Sequence, residues 1–333
     1  MYDGGGKKML NMLILEVLKT YSDEDHPITQ QRVLQLLQEN YGVVCDRRSV
    51  RNNIDCLIEY GYDIETEGGY RLMSRTFDNA ELQLLINSVV FSKSLTKNQA
   101  SKLIAKLVDE SSRYFAPRFT HLANVTNLQH TDNKQVMINL DLLDEAIEKK
   151  RKVSFIYNSY GTDLRMHARR KEPFVFNPYQ IVMSNGRYYL VGNYDKYDTI
   201  SHFRIDKMTS MKMLEEERKD QREIEGMEHG LNLPKHMAEH IYMFSGESVT
   251  ALIRTSQKSM DELVDWFGKD FQIVEQYPDG MMDVRLRCNK SAMEYWALQY
   301  GKSVTVLEPP ELRAMLRNDI EEMRERYQDN KKE

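Results

Sequence analysis

Along residues 8–18 the apolar side chains fall at Leu10, Leu13, Ile14, Val17 and Leu18. That spacing of i, i+3, i+4, i+7 and i+8 lays one stripe along a helix. Asp23, Asp25 and Pro27 interrupt it. A second helix follows, with Thr29 as N-cap, Val33, Leu34, Leu36 and Leu37 inside, and Tyr41-Gly42 at its end. Asp46 caps a third over residues 47–60, in which Val50, Ile54, Leu57 and Ile58 face inward and Gly61 is the stop. Residues 62–72 read as two short strands around a Gly68-Gly69 turn.

Three short helices and a hairpin, in that order, predict a winged helix-turn-helix. In this motif the recognition helix enters the major groove with its N-terminal residues facing base edges. Arg and Asn are the types that make paired contacts with guanine and adenine. The candidate DNA-binding residues are therefore Arg47, Arg48, Ser49, Arg51, Asn52 and Asn53 on the third helix, with Tyr70 on the wing. The Gly68-Gly69 turn would let that wing approach the sugar-phosphate backbone. A protein-contact domain with a solvated polar face is the competing reading, because residues 1–75 hold nine Lys/Arg against twelve Asp/Glu.

From Phe77 to about Asn133 the pattern stays helical, with stripes at Leu82, Leu85, Ile86, Val89 and Val90 and at Leu103, Ile104, Leu107 and Val108, and a break at Pro117. With no polar constellation, it reads as a connecting or dimer-supporting segment. Leu140, Leu142, Leu143, Ala146 and Ile147 form a further short helix. The period then changes to two. Residues 153–157 read as a strand, 158–161 as a turn, 165–171 as a basic strand, and 179–183 and 187–194 as the arms of a hairpin around Asn185-Gly186. Residues 199–203 are another strand. About five short strands in sixty residues predict a small barrel.

Composition narrows the classes. Apolar residues make up 41% and charged residues 29% of 333, the balance of a globular protein of two or three domains. No apolar run nears the ~18 residues that cross a bilayer, and the N-terminus lacks the pattern of a secretory signal, its Gly4-Gly5-Gly6 reading as a flexible tail. Cys45, Cys56 and Cys288 are too few and too far apart for a disulfide framework or a Cys-x-x-Cys zinc site, which favours a reduced, cytoplasmic setting. Net charge is −5 but unevenly spread: from Lys149 to Met213 thirteen Lys/Arg stand against five Asp/Glu, leaving +8. Residues 215–228 are acidic by contrast.

Residues 185–191, Asn-Gly-Arg-Tyr-Tyr-Leu-Val, resemble the signature of the WYL domain, with Tyr188 where that family usually has Trp. Glu172-Pro173 resembles the Glu-Pro before its central strands, and residues 202–208, His-Phe-Arg-Ile-Asp-Lys-Met, resemble its closing basic motif. Residues 248–328 are similar to the WCX extension of the same regulators: strand-like runs at 249–255 and 281–287, helices at 259–267 and 291–300, then 303–309. The resemblance implies a bacterial transcription factor whose WYL domain, an Sm-like barrel, senses nucleotides or nucleic-acid fragments in a positively charged groove. Carried onto matching positions, the ligand-binding residues are Tyr157, Tyr189, His202, Arg204 and Lys207, with Arg169 and Arg170 in the strand before Glu172.

The chemistry fits that implication. Arg and Lys neutralise phosphate, and Tyr157, Tyr160, Tyr179 and Tyr189 offer rings on which bases stack. His202 would make binding pH-dependent near its ordinary pKa of ~6.5. The competing reading makes the tyrosines barrel core and pairs Arg204 and Lys207 with Asp206 as structural glue. No nucleophile elbow, phosphate loop, dinucleotide fingerprint or His-Glu-x-x-His occurs. His236 and His240 lie four apart on a possible helix, near His229, but no Cys or carboxylate at ligand spacing joins them. No enzyme, cofactor, catalytic residue or metal is expected.

The expected fold is α+β and multidomain: winged helix-turn-helix over residues 1–75, helical linker 76–134, Sm/SH3-like WYL barrel 135–215, acidic connector 216–245 and ferredoxin-like α/β WCX domain 246–333. The expected function is a homodimeric, sequence-specific regulator of double-stranded DNA. Its effector would be a nucleotide or single-stranded nucleic acid, and no membrane is involved. The alternative is an accessory module that binds RNA or single strands and modulates another enzyme.

Overall fold

The computed structural model of the chain describes residues 8–115, 131–225 and 227–328, so Gly4, Gly5, Gly6 and Pro117 lie outside the described residues. The chain divides into two compact units, Met1–Asp132 and Asn133–Glu333.

The first unit opens with α1 (Leu10–Tyr21), α2 (Gln30–Tyr41) and α3 (Arg47–Tyr60). Their ends follow from local chemistry. The Thr29 hydroxyl accepts from the Arg32 amide at 3.2 Å, and the Asp46 carboxylate from the Ser49 amide at 2.7 Å. Each satisfies an amide that the first turn leaves without a partner. Gly42 and Gly61 then end α2 and α3 with φ of +67° and +115°, which a side chain resists. The stripes of the three helices bury Ile14, Leu18, Val33, Leu37, Val50 and Ile54 in one core. Ile58, expected inside, is 39% exposed. It sits about 100° around the helix from Leu57, off the line that Val50, Ile54 and Leu57 define.

Strands β1 (Ile64–Glu65) and β2 (Arg71–Leu72) form the hairpin, extended by a bridge between Ile28 and Tyr70. A Cβ on Gly69 would meet Pro27 Cβ at 3.0 Å and the Ile28 carbonyl oxygen at 3.2 Å. This glycine therefore serves the close approach of the hairpin to the chain's own α1–α2 connection. Within the stretch expected to be helical from residue 77 to 133, the described residues form two helices, α4 (Asn79–Val90) and α5 (Lys97–Asp109), each opened by a capping box at Asp78 and Thr96, and residues 116–130 lie outside the described residues. Residues 110–115 are not helical.

The second unit begins with α6 (Val136–Glu148), which lies against a curled antiparallel sheet. Its strands are β3 (Arg151–Tyr160), β4 (Met166–Ala168), β5 (Phe174–Ser184), β6 (Arg187–Asn193), β7 (Ser201–Arg204) and β8 (Met208–Glu217). The order is β4-β3-β5-β6-β7, and β8 pairs with β3. Asn185 and Gly186, with φ of +51° and +73°, make the hairpin turn that their sequence demands. Residues 158–160, expected as a turn, continue β3, and the expected basic strand shortens to β4 because, after a last bond from the Arg169 amide to the Tyr157 carbonyl at 2.9 Å, Arg170 to Pro173 leave the ladder. Strand β8 escaped the sequence pattern. Its register against β3 shifts twice and Ser210 adopts φ +53°, so its apolar residues do not alternate.

Helix α7 (Leu233–Glu239) leads to a βαββαβ domain: β9 (Ser248–Ser256), α8 (Met260–Phe267), β10 (Gln272–Gln276), β11 (Met281–Asn289), α9 (Lys290–Gln299) and β12 (Val304–Glu308), with α10 (Pro310–Arg326) appended. The order β10-β11-β9-β12 is ferredoxin-like. Ile253, Val284, Leu286 and Val306 of the sheet bury against Leu263, Phe267, Trp296 and Leu312 of the helices. Strand β10 was not expected, because every one of its residues is exposed and no burial alternation marks it. Among the described residues no helix is long and apolar enough to cross a membrane.

Gly192 in β6 shows how tightly the curl is drawn. A Cβ there would lie 2.1 Å from the Asn177 carbonyl oxygen and 2.4 Å from the Phe176 ring. We expect Gly192→Ala to destabilise the protein by about 2–3 kcal/mol, read as a lower urea midpoint at unchanged slope, because the backbone must move apart. An unchanged midpoint would show that the sheet has slack here.

Candidate functional site

On α3, Arg47, Arg48, Arg51 and Asn52 are exposed, and Ser49 and Asn53 are half-buried. The Asn53 amide donates to the Ser49 carbonyl at 2.8 Å, so part of its hydrogen-bonding capacity is used within the helix. Among the described residues no ion pair involves Arg47, Arg48 or Arg51. Tyr70 is half-buried at the edge of the three-helix core. Its hydroxyl accepts from Gln30 Nε2 at 3.3 Å, and the same amide donates to the Arg47 carbonyl at 2.8 Å. Gln30 thus ties the hairpin to the start of α3. Further along α3 the exposed side carries Asp55 and Glu59, so positive charge is confined to the N-terminal turns. A cavity of about 250 Å³ elsewhere in this unit is lined by Asp23, Asp25, Asp78 and Glu81, with Arg75 among them, a charge balance that disfavours phosphate.

In the second unit the cationic residues gather around the single 3-10 turn Ile205–Lys207 between β7 and β8. Three asparagines hold this turn by its carbonyls: Asn133 donates to Asp206 and Met208, Asn139 to Met208, and Asn158 to Lys207, at 2.7–3.0 Å. The Asp206 side chain is almost fully buried and receives Arg187 Nη1 at 2.9 Å, Arg204 Nε at 3.1 Å and Arg204 Nη2 at 2.7 Å. Burial opposes the Arg204 charge, but the Asp206 hydrogen bonds and attraction outweigh it and raise its pKa above the ordinary value. Lys207 is in the opposite position. Burial, then Arg204 and Arg169, push its amine below the ordinary lysine value; Asp206 opposes them and Arg187 adds to the depression. Four cations and one carboxylate leave three positive charges in excess.

The other expected ligand residues separate into groups. Tyr157 is core: its ring packs edge-on to Phe203 at 4.7 Å, and its hydroxyl accepts from the Arg204 amide at 3.3 Å. Arg169 covers the open side of that ring at 5.0 Å and reaches Ser159 Oγ at 2.5 Å. Arg170 lies 3.6 Å over the Phe174 ring and donates to the Glu172 and Pro173 carbonyls. Tyr189 is half-buried beside Val182, Val191 and Met243. Tyr179 is buried with Ile224 and Met227, its hydroxyl donating to Asn193 Oδ1 at 2.9 Å, whereas Tyr160 is 47% exposed.

His202 is not with the cations. Its Nε2 lies 2.9 Å from His236 Nε2, and His240 completes a trio with ring centroids 4.5–5.0 Å apart. Burial, then His240 and His236, push His202 down to about 2, which removes the titration near 6.5 expected for a groove ligand. Among the described residues no group of three or more His, Cys, Asp or Glu side chains could hold a metal ion. Sequence reasoning missed Arg187 and the three asparagines. Arg187 was legible as the first residue after the Asn185-Gly186 turn, but the asparagines act across 49 to 75 residues and leave no local signal.

A curled sheet with a cationic turn, followed by a ferredoxin-like domain, defines a two-part α+β class. The WYL domain model matches residues 139–213 and the WCX domain model residues 247–324: the chain is a WYL- and WCX-domain protein. Among solved structures it is similar to proteasome accessory factor B/C (PafBC) of Arthrobacter aurescens, at 15% identity and a TM-score of 0.30, covering 97% of this chain and 49% of that one. The chain thus spans about half the length of that relative. It is also similar to a CRISPR Cas-related protein, at 14% identity and a TM-score of 0.37, covering 96% and 84% of the two chains. No curated protein matches it.

Asp206→Asn removes the carboxylate from two guanidinium groups whose side chains are only 22% and 24% exposed. The expected cost is about 2–3 kcal/mol, less than for a fully buried pair because both cations keep some water. A urea midpoint within error of the parent protein would show that solvent replaces Asp206.

Proposed function

We propose that the protein is a ligand-responsive DNA-binding transcriptional regulator that works as a homodimer. The observation that carries this reading is the cluster of exposed, unpaired Arg47, Arg48 and Arg51 in the first turns of a helix capped by Asp46. Guanidinium groups without a carboxylate partner are ready to meet phosphates and guanine edges. The WYL and WCX domain pairing supports the same reading. A two-fold dimer presents two such helices to half-sites about 34 Å apart or a multiple of that.

The effector of this reading is a nucleotide or a single-stranded nucleic acid. The support is the three-charge excess around Asp206, in which the Lys207 amine is pushed below its ordinary value by burial and then by Arg204 and Arg169. A phosphate there relieves repulsion among four cations. The tyrosines contribute less to stacking than their number suggests, since Tyr157 and Tyr179 belong to cores. Regulation follows only if the effector binds one DNA-binding state of the dimer better than the other, because equal affinity shifts nothing.

The test uses duplexes selected from a random library by the full-length chain. Arg48→Ala with Arg51→Ala is expected to weaken binding of the selected duplex by at least tenfold and to lower the salt slope by about 2, the loss of two phosphate-neutralising charges. Unchanged affinity and slope in fluorescence anisotropy would contradict the assignment of α3.

A further inference from the structure

The three histidines that meet across the second unit serve neither the cationic turn nor α3. His202 stands on β7 of the curled sheet, whereas His236 lies in α7 and His240 caps its C-terminal end. Residues 231–245 are the layer between this sheet and the ferredoxin-like domain. On one side Met243 buries against Val182 and Val191, and Ser245 Oγ accepts the His202 amide at 3.1 Å. On the other, the Tyr242 ring packs 5.2 Å from Trp266, and Phe244 lies 5.4 Å from Tyr295. The imidazoles therefore sit where the two domains are joined.

We propose that His202, His236 and His240 form a proton-controlled latch: neutral, they close the seam between the curled sheet and α7, and protonated, they open it. The geometry allows little positive charge. His202 and His236 share one N–H between nitrogens 2.9 Å apart, so an imidazolium at both would set N–H against N–H. His240 uses Nδ1–H to donate to the Phe244 carbonyl at 3.0 Å. His202 Nδ1 is buried without a hydrogen-bond partner among the described residues.

The groups facing the trio do not offset this. Glu239 is the nearby carboxylate, and Arg287 on β11 holds it at 3.3 Å, with Lys235 at 3.9 Å. Arg287 further disfavours a charge on His240, while Glu239 and the Phe244 carbonyl favour one without overcoming burial. The Cys288 thiol, pushed up to about 12 by burial and Glu239, stays neutral and contributes no charge. Burial, with His240, pushes His236 down to about 3; burial and both neighbours push His202 down as well, with the Phe244 backbone opposing them without reversing the shift.

The sign of the pH effect follows from these directions. In the open seam each imidazole takes a proton near its ordinary ~6.5, whereas in the closed seam it stays neutral to far lower pH. The closed form is thus favoured above about pH 6.5 and loses ground as pH falls through it. Each histidine that titrates in this way changes the closed-to-open ratio about tenfold per pH unit, and all three acting together about a thousandfold. The inference stands on the seam alone and does not depend on the DNA-binding reading.

Hydrogen–deuterium exchange of the full-length chain between pH 7.5 and 5.0, corrected for intrinsic exchange rates, is the test. Protection in peptides spanning 201–204 and 233–245 should fall at least tenfold per pH unit below about 6.5, while peptides from β9 and β11 hold theirs. His202→Asn with His236→Asn and His240→Asn, which removes all three titrating groups, should flatten that slope to less than threefold per unit. Should the variant not fold, histidine Cε1–H NMR signals of the parent protein give the answer. Three of its eight histidines should stay neutral below pH 6 and then shift together as the seam opens. Constant protection, an unflattened slope in the folded variant, eight separate titrations near 6.5, or loss of the pH slope on adding EDTA would each overturn the latch.

Discussion

The second unit depends on one carboxylate that has almost no contact with water. The loss of water around Asp206 is compensated by Arg187 and Arg204, which bring guanidinium groups to both its oxygens. The demand runs both ways. The carboxylate fixes two arginines from different strands, and the asparagine-held turn carrying it also fixes Lys207 beside them. One negative charge is enough to order the cluster and too little to neutralise it. That imbalance is the feature on which the proposed effector site rests.

His202 and Arg204 are two residues apart on the same short strand and have opposite chemistry. Arg204 gains a partner on burial and keeps its charge, with its pKa raised. His202 gains only other histidines and a neutral hydrogen bond, and its pKa falls. The motif that contains both therefore serves two purposes: its arginine belongs to the cationic turn, its histidine to the joint with α7. Reading the motif as a single ligand surface merges groups that the fold keeps apart.

What the sequence revealed was mostly local. Thr29, Asp46, Gly42 and Gly61 mark helix ends because capping acts within a few residues, and Asn185-Gly186 marks a hairpin for the same reason. The WYL and WCX motifs carried the domain content. Strand β8 was hidden by bulges and β10 by its complete exposure, since period-two reading needs one face to be buried. Ile58 shows that an apolar residue one step off a stripe need not be core. The candidate site was legible as residue types but not as partners. Arg204 with Asp206 could be guessed at two residues' separation, whereas Arg187 with Asp206 and His202 with His236 join positions 19 and 34 apart.

The central claim is that the chain carries two separate nucleic-acid surfaces, Arg47, Arg48 and Arg51 on α3 and Arg169, Arg187 and Arg204 with Lys207 around Asp206. Arginine-selective 15N NMR of the full-length chain measures this most directly, by following the guanidinium Nε–H signals as a selected duplex and then a short single-stranded oligonucleotide are added. The account predicts that the duplex shifts the α3 signals and the single strand shifts those around Asp206, each leaving the other set in place. One set of arginines responding to both, or the α3 signals unmoved by duplex, would contradict it.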